Sequence, residues 1–374
     1  MRKIIAKKAV TAALALTVFT GAIAPAVTEA SGIIGNVLGS LASGVYAMSQ
    51  VNSQIKQLDN DKRDELFQQL KQKNGVNKTY KANAQLNRIM GRLTKVIAKY
   101  DETVYNKPYN YFVNNDKSFN AFCTMGHNLS VNIGLFETLN YQEDEIAFVI
   151  GHELAHGTHN DPANGVKKQV GMQVLASIAA SSVGGGDLAN MGAAVVSNLG
   201  TAKGITMPME KRADKDAFVY CSEAGYNVGA GAAIWQKIID GTKDKKESMS
   251  TINQIFNPSD HPKHINRRND YSKTITEYSN KWVTVNDENG EISVNKVKIG
   301  TPAAADGQSA QERAYMVAGE IAQVYHANGG VKANAYYSSG YVYLNNTPIL
   351  TVTSGDDASN WVSNLQVANS KRKK

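Results

Sequence analysis

The sequence predicts a mainly α (α+β) protein: a helical domain with a small edge-strand sheet, followed by a small α+β C-terminal domain. Three observations carry that prediction. Apolar residues recur at helical spacing through 80–100 and again around 146–154. Residues 128–132 read as a short extended stretch between these helices, and beyond about 271 strand-like alternation takes over. The expected units are 1–30, 31–75, 76–275 and 276–374.

Arg2, Lys3, Lys7 and Lys8 precede an apolar run from Ala9 to about Ile23, and Thr28-Glu29-Ala30 offers a small-residue cleavage site. This is the pattern of a secretory signal peptide cut after Ala30, which implies export to the periplasm, the cell envelope or beyond. No cysteine stands at the cleavage region, so a bacterial lipid anchor is not expected. Residues 31–49 are Gly-rich with apolar positions at helical spacing; they are expected to dock on the next domain, and peripheral membrane contact stays open. Residues 56–73 predict a polar, charged helix and 80–100 a longer amphipathic one.

Chemistry concentrates in Gly151-His152-Glu153-Leu154-Ala155-His156. Residues four apart share a helix face, so His152 and His156 can present two imidazoles to one metal ion, and Zn2+ accepts such ligands readily. Glu153 sits one step round the helix, where a carboxylate can take a proton from an attacking water. Asn140 and Glu143 read as N-cap and reciprocal capping residue of this helix, whose body is apolar through Ile146, Phe148, Val149, Ile150 and Leu154. A buried His pair and a buried Glu are costly unless paired or bound to a metal.

A catalytic zinc needs a third protein ligand. The pattern that places a third histidine six residues after the second, with glycine midway, is excluded, because Pro162 and His159 stand there. His159 itself is expected at the rim. Glu210, in Met207-Pro208-Met209-Glu210-Lys211-Arg212-Ala213-Asp214, is the candidate third ligand. Pro208 suits a first helical turn, and Asp214, one turn beyond Glu210, would orient a ligand imidazole.

Together these segments resemble the zinc metallopeptidases that include the CAAX prenyl proteases, HtpX and the periplasmic BepA-type proteases. The likeness covers about 78–271 and rests on four ordered elements: Asn120-Ala121-Phe122 with Gly126 and Gly134-Leu135, the His152/Glu153/His156 motif, Glu210 to Asp214 followed by Ala224-Gly225-Tyr226, and His261-Pro262 with Arg267. The chain departs from the family at Met207-Pro208-Met209, where Ser-Arg is common. The resemblance implies a helical gluzincin-type domain holding one zinc through His152, His156 and Glu210, with Glu153 as general base. It further implies His261 as oxyanion donor, Arg267 as its positioner or a brace, and Asn128, Leu129, Ser130, Val131 and Asn132 as an edge strand binding peptide by strand addition.

Residues 170–200 are rich in Ala, Gly, Ser and Val, but Gly184-Gly185-Gly186-Asp187 divides them into runs shorter than a membrane span, so a buried or lid-forming hairpin is expected. Cys123 and Cys221 are expected as two buried free thiols rather than a disulfide. In the C-terminal domain, 282–297 predicts a hairpin about Asn286 to Gly290, and Ser309 with Glu312 a capping box opening a helix to Ala327. Short strands are expected at 331–337, 341–344 and 348–353, then a helix at 358–367. No metal or nucleophile constellation appears there, and His326 reads as a surface or helix-end residue.

Removing the +3 of residues 1–30 from the net charge of +7 leaves +4, which the tail Lys371-Arg372-Lys373-Lys374 accounts for. The near-neutral body argues against nucleic acid as a partner. Protein or peptide substrates from the cell envelope are the expected partners. The expected function is therefore a zinc endopeptidase of misfolded or unassembled envelope proteins; the competing reading is a zinc-containing chaperone-like scaffold that cleaves little.

Overall fold

The computed structural model describes residues 55–168, 205–243, 264–329 and 333–371, together with 49, 52 and 53. The expectations for 1–30, 31–48, 170–200 and His261 lie outside the described residues. Among the described residues no helix is long and apolar enough to cross a membrane.

The helix expected over 56–73 is broken by a turn at 60–62, and its second part is α1 (Arg63–Asn74). The amphipathic helix follows as α2 (Tyr80–Ile97), then the short α3 (Thr103–Asn106). A three-stranded sheet comes next, built from β1 (Asn110–Asn114), β2 (Ala121–Thr124) and β3 (Asn128–Asn132). The helices around the site are α4 (Ile133–Thr138), α5 (Glu143–Thr158), α6 (Met207–Glu223), α7 (Ala230–Lys243) and α8 (His264–Tyr278).

The sheet order β1-β3-β2 corrects one expectation. Asn128 to Asn132 is not an edge strand: β3 is central, parallel to β1 and antiparallel to β2, and all five of its residues are buried. Its polar alternation is an internal ladder. The Asn114 amide donates to Ser130 Oγ (2.9 Å) and Asn132 Oδ1 (2.7 Å), and Asn128 Nδ2 donates to the Arg63 carbonyl (3.0 Å). With both edges paired, β3 cannot take a substrate strand.

A second correction concerns the start of α5. Asn140 is not its cap: it has φ 49° in the turn leaving α4, and Gln142 holds the N-cap position without a side-chain cap bond. Glu143 pairs with Arg88 at 2.7 Å instead of reaching back to the backbone. Glu143 and Asp144 of the first turn still complement the helix dipole.

Small residues set how closely α5 and α6 approach. Ala213, Ala217 and Cys221, spaced four apart on α6, are all fully buried. Ala217 and Cys221 face Gly151 of α5, where an added Cβ would lie 3.1 Å from Cys221 Sγ and 3.7 Å from Ala217 Cα. Gly151 thus permits the approach that carries Glu210 to the histidines. Both cysteines are free and buried, as expected, and burial pushes both thiols above their ordinary range.

The C-terminal segment follows the expected pattern with one strand more. β4 (Val283–Val285) and β5 (Ile292–Val294) form the hairpin, and β6 (Val297–Gly300) joins them antiparallel. The Ser309–Glu312 capping box is present at the start of α9 (Ala310–Ala327). β7 (Ala335–Ser338), β8 (Tyr341–Leu344), β9 (Thr347–Thr351) and α10 (Ala358–Ser370) complete it. His326 stacks on Tyr278 near the end of α9, with ring centroids 3.9 Å apart.

One continuous apolar core runs from α2 through α5 and α7 into α9 and α10. At Gly229 and Gly319 the backbones meet: a Cβ on Gly229 would fall 1.9 Å from the Tyr315 carbonyl oxygen, and one on Gly319 2.0 Å from Asn227 Oδ1. α9 is therefore seated against the turn before α7 rather than held on a tether.

Glu145 in α5 is fully buried at this junction, where Gln308 donates to its Oε1 at 2.9 Å. Burial, with the nearby Glu312 and Asp144 and despite Lys237, pushes its carboxyl up to about 7. Because the folded pKa exceeds the unfolded value, the folded state binds more protons between about pH 4.5 and 7, and stability falls as pH rises through that window. Glu145→Gln keeps a carbonyl for Gln308 and removes the charge. It should stabilise the protein by about 1–3 kcal/mol at pH 8 and by little at pH 4, read as thermal unfolding at both. An equal effect at the two pH values would contradict this account.

Candidate metal centre

α5 and α6 bring three ligand atoms together. His152 Nε2 and His156 Nε2 lie 3.1 Å apart, His152 Nε2 is 3.5 Å from Glu210 Oε2, and His156 Nε2 is 3.3 Å from Glu210 Oε1. All three residues are buried, and their ligand atoms fall within 4.8 Å of one another. Among the described residues no other group of three or more His, Cys, Asp or Glu ligand atoms gathers this closely.

The protons on the two imidazoles decide what this cluster can hold. His152 Nδ1 lies 3.0 Å from Asp214 Oδ1, and His156 Nδ1 lies 2.9 Å from Asp161 Oδ2. A carboxylate facing Nδ1 draws the ring proton there and leaves Nε2 with its lone pair. When both rings are neutral, these two lone pairs face each other beside the Glu210 carboxylate. Acceptors converging in this way need a cation between them, and the two-imidazole, one-carboxylate set is a donor set that Zn2+ takes.

The surrounding charge agrees. Four carboxylates, from Glu153, Asp161, Glu210 and Asp214, face two guanidinium groups, from Arg212 and Arg267. Burial works against protonating His152, yet the hydrogen bonds and charges of Asp214 and Glu210 outweigh it and push the imidazole up to about 10. His156 is raised as well, burial being outweighed by Asp161 and Glu210. The same carboxylates would favour a metal cation in place of those protons.

Arg267 of α8 ties the ligand set together. It is 2 % exposed; its guanidinium donates to both Asp214 oxygens, with Nε to Oδ2 at 2.7 Å, and lies 3.2 Å from Glu210 Oε2. These neighbours hold the Asp214 carboxyl below the ordinary carboxylate range although burial opposes it. Trp235 supports Arg267 from behind, with the guanidinium carbon 3.9 Å from a ring centroid. Tyr271 adds a hydrogen bond from its hydroxyl to the Asp214 carbonyl at 3.1 Å.

Glu153 is buried beside the cluster and accepts the backbone N–H of Cys123 through Oε2 at 3.2 Å. Burial lifts its carboxyl above the ordinary range against the pull of His152 and His156, which favours a group that accepts a proton. The Cys123 N–H is directed to Glu153, so the outer edge of β2, not β3, faces the site. His159 lies apart from the ligands, its Nε2 2.6 Å from Asp216 Oδ2.

Sequence reasoning missed three groups. Asp161 lies five residues past His156, just beyond α5, and nothing local marks it as an imidazole partner. The Cys123 amide and the Trp235 ring come from elements distant in sequence. Asp161→Asn removes the charge that fixes the His156 tautomer and should weaken zinc affinity about 10- to 100-fold in a chelator competition. Unchanged affinity would leave Asp161 a purely structural residue.

A helix-borne H-E-x-x-H joined by a glutamate from a following helix defines a metallopeptidase centre. The sequence model of Peptidase family M48 matches residues 81–275, just over half of the chain, and the chain belongs to that family. It is 27 % identical over 144 residues to a Vibrio cholerae protein named as a beta-barrel assembly-enhancing protease, covering 36 % of this chain and 29 % of that protein. It is 24 % identical over 216 residues to metalloprotease LoiP of Escherichia coli, covering 57 % of this chain and 80 % of LoiP. The chain thus spans under a third of the Vibrio protein and most of LoiP.

Proposed function

We propose that the protein is a zinc-dependent endopeptidase of the cell envelope that hydrolyses misfolded or unassembled proteins. The observation that carries this reading is the convergence of His152 Nε2, His156 Nε2 and the Glu210 carboxylate with Glu153 beside them. His152, His156 and Glu210 would hold the ion. A zinc ion held there would supply Lewis acidity, towards the scissile carbonyl and towards water.

The chain's own groups do the rest. Glu153 takes the proton of the attacking water and returns it to the leaving amine, oriented by the Cys123 N–H. Asp214 and Asp161 fix the Nδ1 protons of His152 and His156, and Arg267 locks Asp214 and Glu210 in register. His261 is assigned as the oxyanion donor on family likeness. An extended substrate lies along the outer edge of β2, where backbone hydrogen bonds bind a polypeptide with little regard to sequence. That mode suits unfolded chains, and the name of the Vibrio relative, a beta-barrel assembly-enhancing protease, favours substrates in the envelope.

Casein degradation tests the reading. The purified protein should cleave casein, stop when zinc is stripped by a chelator, and resume when zinc is restored. A zinc-loaded protein that leaves casein and unfolded envelope proteins intact would instead be a scaffold.

A further inference from the structure

The C-terminal segment holds the same unit twice. β4, β5 and β6 form an antiparallel meander followed by α9, and β7, β8 and β9 form another followed by α10. The two agree in detail. Asn295 (φ 48°) and Asn345 (φ 56°) open the tight turn after the second strand of each. The register shifts at Ile292/Ser293 in the first and at Val342/Tyr343 in the second. The units also exchange partners. Asn295 Nδ2 donates to the Ala368 carbonyl of α10 at 3.1 Å, and Arg313 of α9 donates to the Thr351 carbonyl of β9 at 2.6 Å.

Each unit therefore shows what the other needs in order to fold. The inner positions are apolar in both: Val283, Ile292 and Val294 correspond to Ala335, Val342 and Leu344, all buried. The outer faces differ. In the first unit that face and its margin carry Thr284, Glu291, Ser293 and Lys298, with Lys298 paired to Glu291 at 2.9 Å. In the second, the same positions hold Tyr336, Tyr341, Tyr343 and Pro348. Tyr336 and Tyr343 stack with centroids 5.0 Å apart, and Tyr341 meets Tyr343 edge-on at 6.2 Å. Tyr336 and Tyr341 are exposed. A charged, solvated face serves the first unit, so the fold does not ask for these rings.

We propose that the tyrosine face binds a neutral, β-linked glycan chain. The inference goes beyond the endopeptidase reading and does not depend on it. From Ala333 to Gly355 the chain has no Asp, Glu, Lys, Arg or His. The face itself thus offers no cation to the phosphates of a nucleic acid or a lipid headgroup. An unfolded polypeptide would join the sheet by strand pairing, but side chains engage both edges. On β7, Gln366 donates to the Ala335 carbonyl at 3.3 Å, and the preceding Ala333 N–H donates to the Asn369 side chain at 3.2 Å. On β9, Arg313 holds the Thr351 carbonyl. A pyranose needs neither charge nor edge. Its C–H face is attracted to the negative π-face of a tyrosine ring, and its hydroxyls meet the tyrosine hydroxyls and the exposed Ser338.

Calorimetric titration of the full-length, zinc-loaded protein with chitohexaose, a β-1,4-linked N-acetylglucosamine chain, tests this. Binding should be saturable at micromolar to millimolar concentration. Tyr336→Thr combined with Tyr343→Ser gives the second unit the first unit's own residues, so the fold should survive, as thermal unfolding checks. Affinity should then fall at least about tenfold. Should that pair not fold, Tyr341→Glu, the residue type of the first unit at that place, should produce the same loss. Tyr343→Phe keeps the ring and should keep most of the affinity. Glu153→Gln should bind the glycan as the parent protein does, and the double variant should cleave casein at the parent rate. A protein that binds the glycan but cuts no casein fails only the endopeptidase reading. No saturable binding, or binding unchanged in the folded variants, overturns the proposal. Unfolded casein lost from the double variant while the glycan still binds would also overturn it, and would make the face a polypeptide dock.

Discussion

Glu153→Gln should retain zinc and lose proteolysis by at least about 10²- to 10⁴-fold in kcat, the span of a general base. The amide keeps nearly the shape of the carboxylate, and its carbonyl can still accept the Cys123 N–H that Oε2 accepts at 3.2 Å. What it cannot do is take a proton. Because Glu153 is not among the three convergent ligands, metal content should stay near one per chain. The paired measurement is elemental analysis beside casein turnover. Full turnover would remove Glu153 from the chemistry, and lost zinc would make it a ligand instead.

Glu210→Ala should act in the opposite order, with the metal lost first and activity with it. The substitution takes away the carboxylate that lies 3.5 Å from His152 Nε2 and 3.3 Å from His156 Nε2. Two imidazoles alone leave the site one protein ligand short of a catalytic zinc centre. Arg267 keeps its pair with Asp214, so the buried guanidinium is not stranded and the fold should survive. Removing a buried, paired carboxylate should cost about 1–3 kcal/mol, which circular dichroism and thermal unfolding can separate from the loss of metal. Full zinc occupancy in a folded Glu210→Ala protein would hand the third position to another residue.

How much of this was legible in the sequence depended on whether the signal was local. His152, Glu153 and His156 share one helix, and their spacing points to a metal-binding pair beside an acid–base carboxylate. Glu210 and Asp214 were legible as a second motif on a second helix. The Ser309–Glu312 capping box was equally plain, since both partners lie within one turn.

The misreadings came where tertiary partners decide. Asn-Leu-Ser-Val-Asn at β3 has the alternation of a half-exposed strand, yet Asn114 and the Arg63 carbonyl satisfy its polar side chains internally. Asn140 looked like a cap by residue type, but the left-handed turn after α4 occupies it and α5 starts two residues later. Nothing local in the sequence marks Trp235; only the packing of α7 against α8 puts its ring under Arg267. The role of Gly151, which lets Ala217 and Cys221 draw close, is likewise set by a partner distant in sequence.

The most direct test of the whole account is a crystal of the zinc-loaded protein measured on both sides of the zinc absorption edge. The account predicts a single anomalous peak enclosed by His152 Nε2, His156 Nε2 and the Glu210 carboxylate, with a further coordination position held by solvent. No peak between these two helices, or an ion whose every position is filled by fixed side chains, would contradict it.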